Sequence, residues 1–185
     1  MSKLTYTAIT SLDGYIEDPS GSFDWAMPDP EVHAFANDLE AGIRTHLYGR
    51  RMYDTMAVWQ DVGDGPEVSP VEAEYARVWR DLDKVVYSRT LQEVRTPRTR
   101  LEHEFDPESV RRLKESAEGD LSVSGPTLAA HAFRAGLVDE VHVLVFPVIV
   151  GGGKPGLPSD VRLDLELMDE RRFGNGVVHL HHRVR

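Results

Sequence analysis

Residues Val141 to Val150 read VHVLVFPVIV, an almost unbroken apolar run in which β-branched residues dominate. A strand with one wet face would alternate polar and apolar residues. This run does not, so the pattern predicts a strand buried on both faces, the kind found inside an α/β sheet. What precedes it fits that reading. LSVS, up to Ser124, is a short alternating strand, and Gly125-Pro126 breaks it. Thr127 to Ala135 has helical apolar spacing through Leu128, Ala132 and Ala135, and Gly136 sits where a helix ends in a left-handed residue. A strand that runs into a sharp turn and a helix start points backbone N–H groups outward, a natural place for a phosphate.

The chain has 185 residues, the size of one well-packed domain, and we read residues 1–185 as a single unit. Its net charge of −10 disfavours nucleic acid and anionic membrane as partners. Cysteine is absent, which excludes disulfides and thiolate metal sites. The first ten residues enter a strand pattern with no apolar signal core, and no run is long enough to span a bilayer. The expectation is a cytoplasmic protein acting on a small molecule.

Taken in order, Leu4 to Thr10 alternates as a first strand. Residues 14–28 are a long loop carrying Phe23 and Trp25. Asp29-Pro30-Glu31, Ser69-Pro70 and Asp106-Pro107-Glu108 each set a capping oxygen before a proline, so helices start there. Strands are expected at 46–48, 84–87 and 99–104, and a short helix at 50–56. Residues 60–69 read as a surface loop. Residues 161–168 and 176–184 read as an antiparallel hairpin around Gly174-Asn175-Gly176. Strands alternating with helices and ending in a hairpin predict a three-layer αβα sandwich with a mixed, mainly parallel sheet.

Three strand ends carry anion-binding residue types: Gly49-Arg50-Arg51, Ser88-Arg89-Thr90 and Ser124-Gly125-Pro126-Thr127. Ligands of open α/β sheets sit beyond such carboxyl ends. Each motif alone reads better as surface arginines and caps; their recurrence at successive strand ends puts a phosphate site on an equal footing with that reading. No Walker loop or G-x-G-x-x-G is present. Gly151-Gly152-Gly153-Lys154 precedes Pro155 and no helix pattern, so it reads as a turn. His179 and His181 share one strand face and His182 the other. With no matching acid or histidine cluster at ligand spacing, no metal is expected. Asp13, Asp24, Asp29 and Glu31 are acids in or beside the long loop; Asp29 and Glu31 also suit the cap and first turn of a helix.

The pieces ITSLDGYIEDPSGSFDW, YGRRMYDTM, VVYSRTL, VSGPTLAAHAFRAGLVDE and VFPVIVGGGKP together resemble the dihydrofolate-reductase-like superfamily. Within it they look most like stand-alone relatives of the riboflavin-biosynthesis reductase domain. The resemblance implies a homodimeric NADPH-dependent reductase acting on a small heterocycle or a ribosylamino-pyrimidine. By motif it implies that Gly49, Arg50, Ser88 and Arg89 bind the cofactor at its 2′-phosphate end. Gly125 and Thr127 would contact the pyrophosphate, and the backbone at Ala8 and Ile9 would face the nicotinamide. Asp13 and Trp25 would line the substrate side, with Asp13 or Asp29 as the candidate acid. Two other readings are a nucleotide-binding module without turnover and a dihydrofolate reductase; Pro30 stands where bacterial folate reductases place their acid. Relatives often carry a glycine after Gly125, joined by a cis peptide. Here it is Pro126, and cis bonds before proline are cheap, so a cis Gly125–Pro126 bond is expected.

Overall fold

In the computed structural model, which describes residues 1–63 and 65–185, the alternating N-terminal segment forms β1 (Leu4–Ser11). The loop expected at 14–28 is partly regular. It holds a short strand, β2 (Tyr15–Glu17), and a 3₁₀ turn at Asp24–Ala26. Asp29 then caps α1 (Pro30–Leu39), its carboxylate accepting from the Val32 N–H at 2.9 Å. β3 (Ile43–Gly49) leads directly into α2 (Arg50–Met56) and a 3₁₀ turn at Ala57–Gln60. The loop expected at 60–69 includes Asp64, which lies outside the described residues. Ser69 and Glu72 cap each other's backbone at the start of α3 (Pro70–Asp81).

β4 (Asp83–Tyr87) and β5 (Thr99–Glu102) follow. Asp106 caps α4 (Pro107–Ser116) by accepting from the N–H groups of Glu108 and Ser109. The central unit is β6 (Asp120–Ser124), α5 (Pro126–Arg134) and β7 (Glu140–Phe146). A two-residue strand, β8 (Lys154–Pro155), precedes the closing pair, β9 (Leu165–Arg172) and β10 (Val178–Val184).

Eight strands form one sheet in the order β5-β4-β3-β6-β1-β7-β10-β9. The first six run parallel, and β10 and β9 are antiparallel additions. β2 and β8 make a separate ribbon. Helices α4 and α5 cover one face, where Leu4, Tyr6 and Val123 meet Leu128, Phe133 and Val110. The other face packs in two clusters. Val32 of α1 meets Leu144, Phe146 and Phe173. Trp79 of α3 meets Tyr48, Tyr53 and Val86.

Three sequence expectations are corrected. β7 ends at Phe146, not Val150, because Pro147 brings no N–H to the ladder; Val148 instead accepts from the Leu12 N–H at 2.8 Å. β9 starts at Leu165, not Val161; Val161 and Leu163 pack against the α4/α5-side core instead. The Gly125–Pro126 bond is trans. Gly125 takes φ +89°, so the chain turns within the glycine itself and needs no cis bond.

One feature of the sheet positions the site. β1 pairs with β6 only from Leu4 to Tyr6, yet stays paired with β7 as far as Ser11. β6 ends at Ser124 and turns away at Gly125. The sheet is therefore open between the carboxyl half of β1 and the start of α5.

Candidate functional site

A cleft of about 830 Å³ lies at the carboxyl ends of β3, β4 and β6. The three strand-end motifs converge on it. Gly49 and Arg50 come from the β3–α2 junction, Ser88 and Arg89 from the end of β4, and Gly125 and Thr127 from the β6–α5 turn. These six residues are far apart in sequence. The parallel register that pairs Tyr48 with both Val86 and Ser124 brings them together.

Each contributes in its own way. The Arg50 guanidinium donates to Thr90 Oγ1 at 2.8 Å and lies 3.7 Å from Asp54, so it is held in place yet exposed. Arg89 is exposed at the rim. The buried Ser88 hydroxyl accepts from the Thr90 and Leu91 N–H groups at 3.3 and 3.0 Å; it shapes the turn that carries Arg89 and keeps its own proton for a further acceptor. At Gly125 a side chain would stand 3.4 Å from Met52 Cβ, on top of the cost of a positive φ.

The cleft also holds residues that the sequence did not single out. Tyr87, Phe105 and His131 form an aromatic wall: Tyr87 and Phe105 centroids are 5.4 Å apart, and Phe105 and His131 5.8 Å at 31°. Phe105 follows β5, the strand beside β4, and that strand's end was the signal that could have flagged it. On another side lie Glu17 and Lys154, whose charged atoms are 3.8 Å apart. Lys154 closes the glycine run that reads as a turn. The turn reading holds, but it omits what the turn delivers: β8 pairs with β2 and sets Lys154 beside Glu17. Gly153 makes this possible. With φ +119°, its Cβ would collide with the Glu17 carbonyl oxygen.

The remaining sequence-predicted residues lie outside the cleft lining. Ala8 is buried in the α5-side core, and Ile9 packs toward α1. Asp13 is exposed, and its carboxylate accepts from the Gly151 N–H at 2.8 Å and the Val150 N–H at 3.2 Å. The Ser11 hydroxyl first, and then these N–H groups, hold it below the usual carboxylate range. It fastens the glycine run to the end of β1. Asp29 is spent on capping α1. Trp25 packs edge-on against Phe146, with its indole nitrogen buried and without a hydrogen-bond partner among the described residues.

Away from the cleft, the absence of a metal-type cluster inferred from the sequence is corrected. β7 lies antiparallel to β10, and the register sets His142 opposite His181. Glu140 joins them, and the three offer ligand atoms within 4.8 Å of one another. The pairing is long-range, so residue spacing along the chain did not reveal it.

No helix among the described residues is long and apolar enough to cross a membrane. Comparison with solved structures places the architecture. A riboflavin-biosynthesis candidate from Shewanella sp. PV-4 superposes with a TM-score of 0.76 at 21% identity, covering 99% of both chains. A pyrimidine reductase-like protein from Corynebacterium diphtheriae gives a TM-score of 0.68 at 15% identity, over 100% of this chain and 92% of that one. A diaminohydroxyphosphoribosylaminopyrimidine deaminase/5-amino-6-(5-phosphoribosylamino)uracil reductase from Thermotoga maritima gives 0.65 at 17% identity. This chain matches 57% of that longer protein. These likenesses establish a shared dihydrofolate-reductase-like α/β fold. In sequence, the uncharacterized protein YyaP of Bacillus subtilis (strain 168) is 32% identical over 173 residues, 92% of this chain and 88% of its own length. The family model described as RibD C-terminal domain matches residues 2–179. With nearly the whole chain inside that match, the protein belongs to the RibD C-terminal domain family.

Proposed function

We propose that the protein is an NADPH-dependent reductase of a small heterocyclic or ribosylamino-pyrimidine-like substrate. The observation that carries this reading is the convergence of Arg50, Ser88-Arg89 and Gly125-Thr127 on one cleft beside the opening in the sheet. The residues present fit a dinucleotide. Two exposed guanidiniums suit a phosphate monoester. The side-chain-free Gly125 and the adjoining Thr127 hydroxyl suit a pyrophosphate that must approach backbone closely. The wall of Phe105 and His131 suits the flat face of an adenine.

Bound there, the cofactor would supply the hydride. The chain's own residues do the rest by holding and orienting. Arg50 and Arg89 neutralise the 2′-phosphate, and Met52 and Gly125 shape the floor between the two ends of the cleft. The backbone of Ala8 and Ile9 borders the opening left by β6, the side we assign to the nicotinamide. On the side we assign to the substrate, Lys154 Nζ and Glu17 Oε1 lie 3.8 Å apart in the cleft wall, and we assign proton delivery to this pair. Asp13 acts by anchoring the loop that carries Lys154. Positioning of two partners is the main catalytic contribution this geometry offers.

The test is a fluorescence titration with NADPH, followed by addition of a phosphoribosylamino-pyrimidine and, separately, dihydrofolate. Binding followed by cofactor oxidation with the pyrimidine is the expected result. Binding without oxidation by any candidate substrate turns the reading into a nucleotide-binding module, and absence of binding overturns both. We further propose a homodimer. A half-open groove of about 400 Å³ lined by Val141, Val143 and Leu180 of the sheet, with Leu163 and Leu165, is apolar and includes exposed Leu12 and Leu157, a surface suited to a second copy. Sedimentation at micromolar concentration should give twice the 20.8 kDa chain mass; a monomer contradicts it.

A further inference from the structure

We infer that Glu140, His142 and His181 form a binding site for a divalent transition metal, on the α1 side of the sheet and remote from the nucleotide cleft. The sheet itself builds the site. Glu140 and His142 are two residues apart on β7, so they share a face, and His181 stands directly across the ladder on β10. The His142 and His181 rings stack at 4.1 Å and 13°, and His181 Nε2 lies 3.2 Å from Glu140 Oε2. That nitrogen is buried, and the Glu140 carboxylate is the group it faces. Two imidazoles and a carboxylate are a donor set for zinc, cobalt or nickel, with a fourth position left for water.

The surroundings act as a supporting shell. His142 Nδ1 and His179 Nε2 are 3.0 Å apart, which fixes the His142 ring and leaves its Nε2 for an ion. Phe35 of α1 packs edge-on against His179 at 4.7 Å and seals the inner side. The outer side opens past Lys3, whose ammonium sits 2.7 Å from Glu140 Oε1 and occupies part of the carboxylate until an ion displaces it. Donors within 4.8 Å of one another must draw in toward the roughly 3.4 Å that adjacent ligands of a tetrahedral ion keep.

The test is calorimetric titration of untagged protein with Zn²⁺ and Co²⁺. One ion should bind per chain and raise the melting temperature. His142→Ala and His181→Ala should each weaken binding by about 100-fold or more, and His179→Ala by about 10-fold through the supporting shell. His182→Ala, on the opposite face, should leave affinity unchanged. Lys3→Met should tighten binding severalfold, a gain that misfolding cannot mimic. The proposal is overturned if Zn²⁺ binds wild type no better than His142→Ala, if His182→Ala abolishes binding, or if Lys3→Met weakens it.

Discussion

Arg50→Ala and Arg89→Ala each lower NADPH affinity about 10-fold and leave NADH affinity within about twofold of wild type. The expectation follows from what separates the two cofactors, a single phosphate monoester. Hydrogen bonds to charged groups contribute about 1.5–3 kcal/mol, and for exposed guanidiniums the lower end applies, or about one power of ten. Arg50 should show the larger loss of the two. Its removal leaves the Asp54 carboxylate, now 3.7 Å from the guanidinium, facing the incoming phosphate with no counter-charge. Both arginines are assigned to one phosphate, so their effects are coupled, and the double variant should depart from the roughly 100-fold loss that independent sites would give. Dissociation constants for both cofactors, measured by fluorescence at two ionic strengths, decide the matter. Equal losses for NADPH and NADH would remove the 2′-phosphate assignment, and with it the strongest reason to prefer NADPH.

Trp79→Ala destabilises the fold by about 3–5 kcal/mol, the range for deleting a large buried aromatic. Trp79 is fully buried at the contact between α3 and the sheet. Its indole N–H donates to the Tyr48 hydroxyl at 3.1 Å. Lys84 lies 4.3 Å from the ring centre, with its ammonium donating to the carbonyl of Trp79 at 2.8 Å and of Leu82 at 2.6 Å. Burial already pushes Lys84 down to about 8. Without the indole, the cation loses its aromatic face and the Tyr48 hydroxyl loses its donor, so the cavity is polar-lined as well as empty. For a chain of this size the melting temperature should drop by about 10 °C. Trp79→Phe keeps most of the volume and should cost about half as much. Calorimetry of both variants checks the claim; a loss under about 1 kcal/mol for Trp79→Ala would mean the site collapses around the gap. Tyr48 directly precedes Gly49 and Arg50, so cofactor binding should weaken alongside stability.

The helix starts were legible because proline and its capping oxygen act locally: Asp29, Ser69 and Asp106 needed nothing beyond their neighbours to do their work. The strand-end motifs were legible because strand and turn signals flank each of them. Where the sequence misled, a non-local contact or a backbone option decided. Apolar character ran on from Phe146 to Val150, but hydrogen-bond pairing did not, since Pro147 cannot donate. A glycine and a proline side by side offered two ways to turn the chain, and the glycine's positive φ was sufficient. Asp13 had the chemistry of an acid, yet two N–H groups from residues 150 and 151 claimed it. Lys154 and the Glu140–His142–His181 group could not be read in advance, because antiparallel partners far along the chain create both.

The two walls of the cleft differ in kind. The wall bearing Arg50, Arg89 and Gly125 is cut from the parallel sheet itself, whose strands are shared with the main core. The side bearing Glu17 and Lys154 hangs on the β2–β8 ribbon, clipped to the body by Asp13 and by the Tyr6 hydroxyl donating to the Gly156 carbonyl. If the cleft is the reductase site proposed above, such a construction separates inheritance of cofactor from choice of substrate. On the proposed reading, changes in the ribbon would reshape what is reduced while the reductant's seat stays untouched, and Gly153, whose Cβ would meet the Glu17 carbonyl, limits how far the ribbon can be rebuilt.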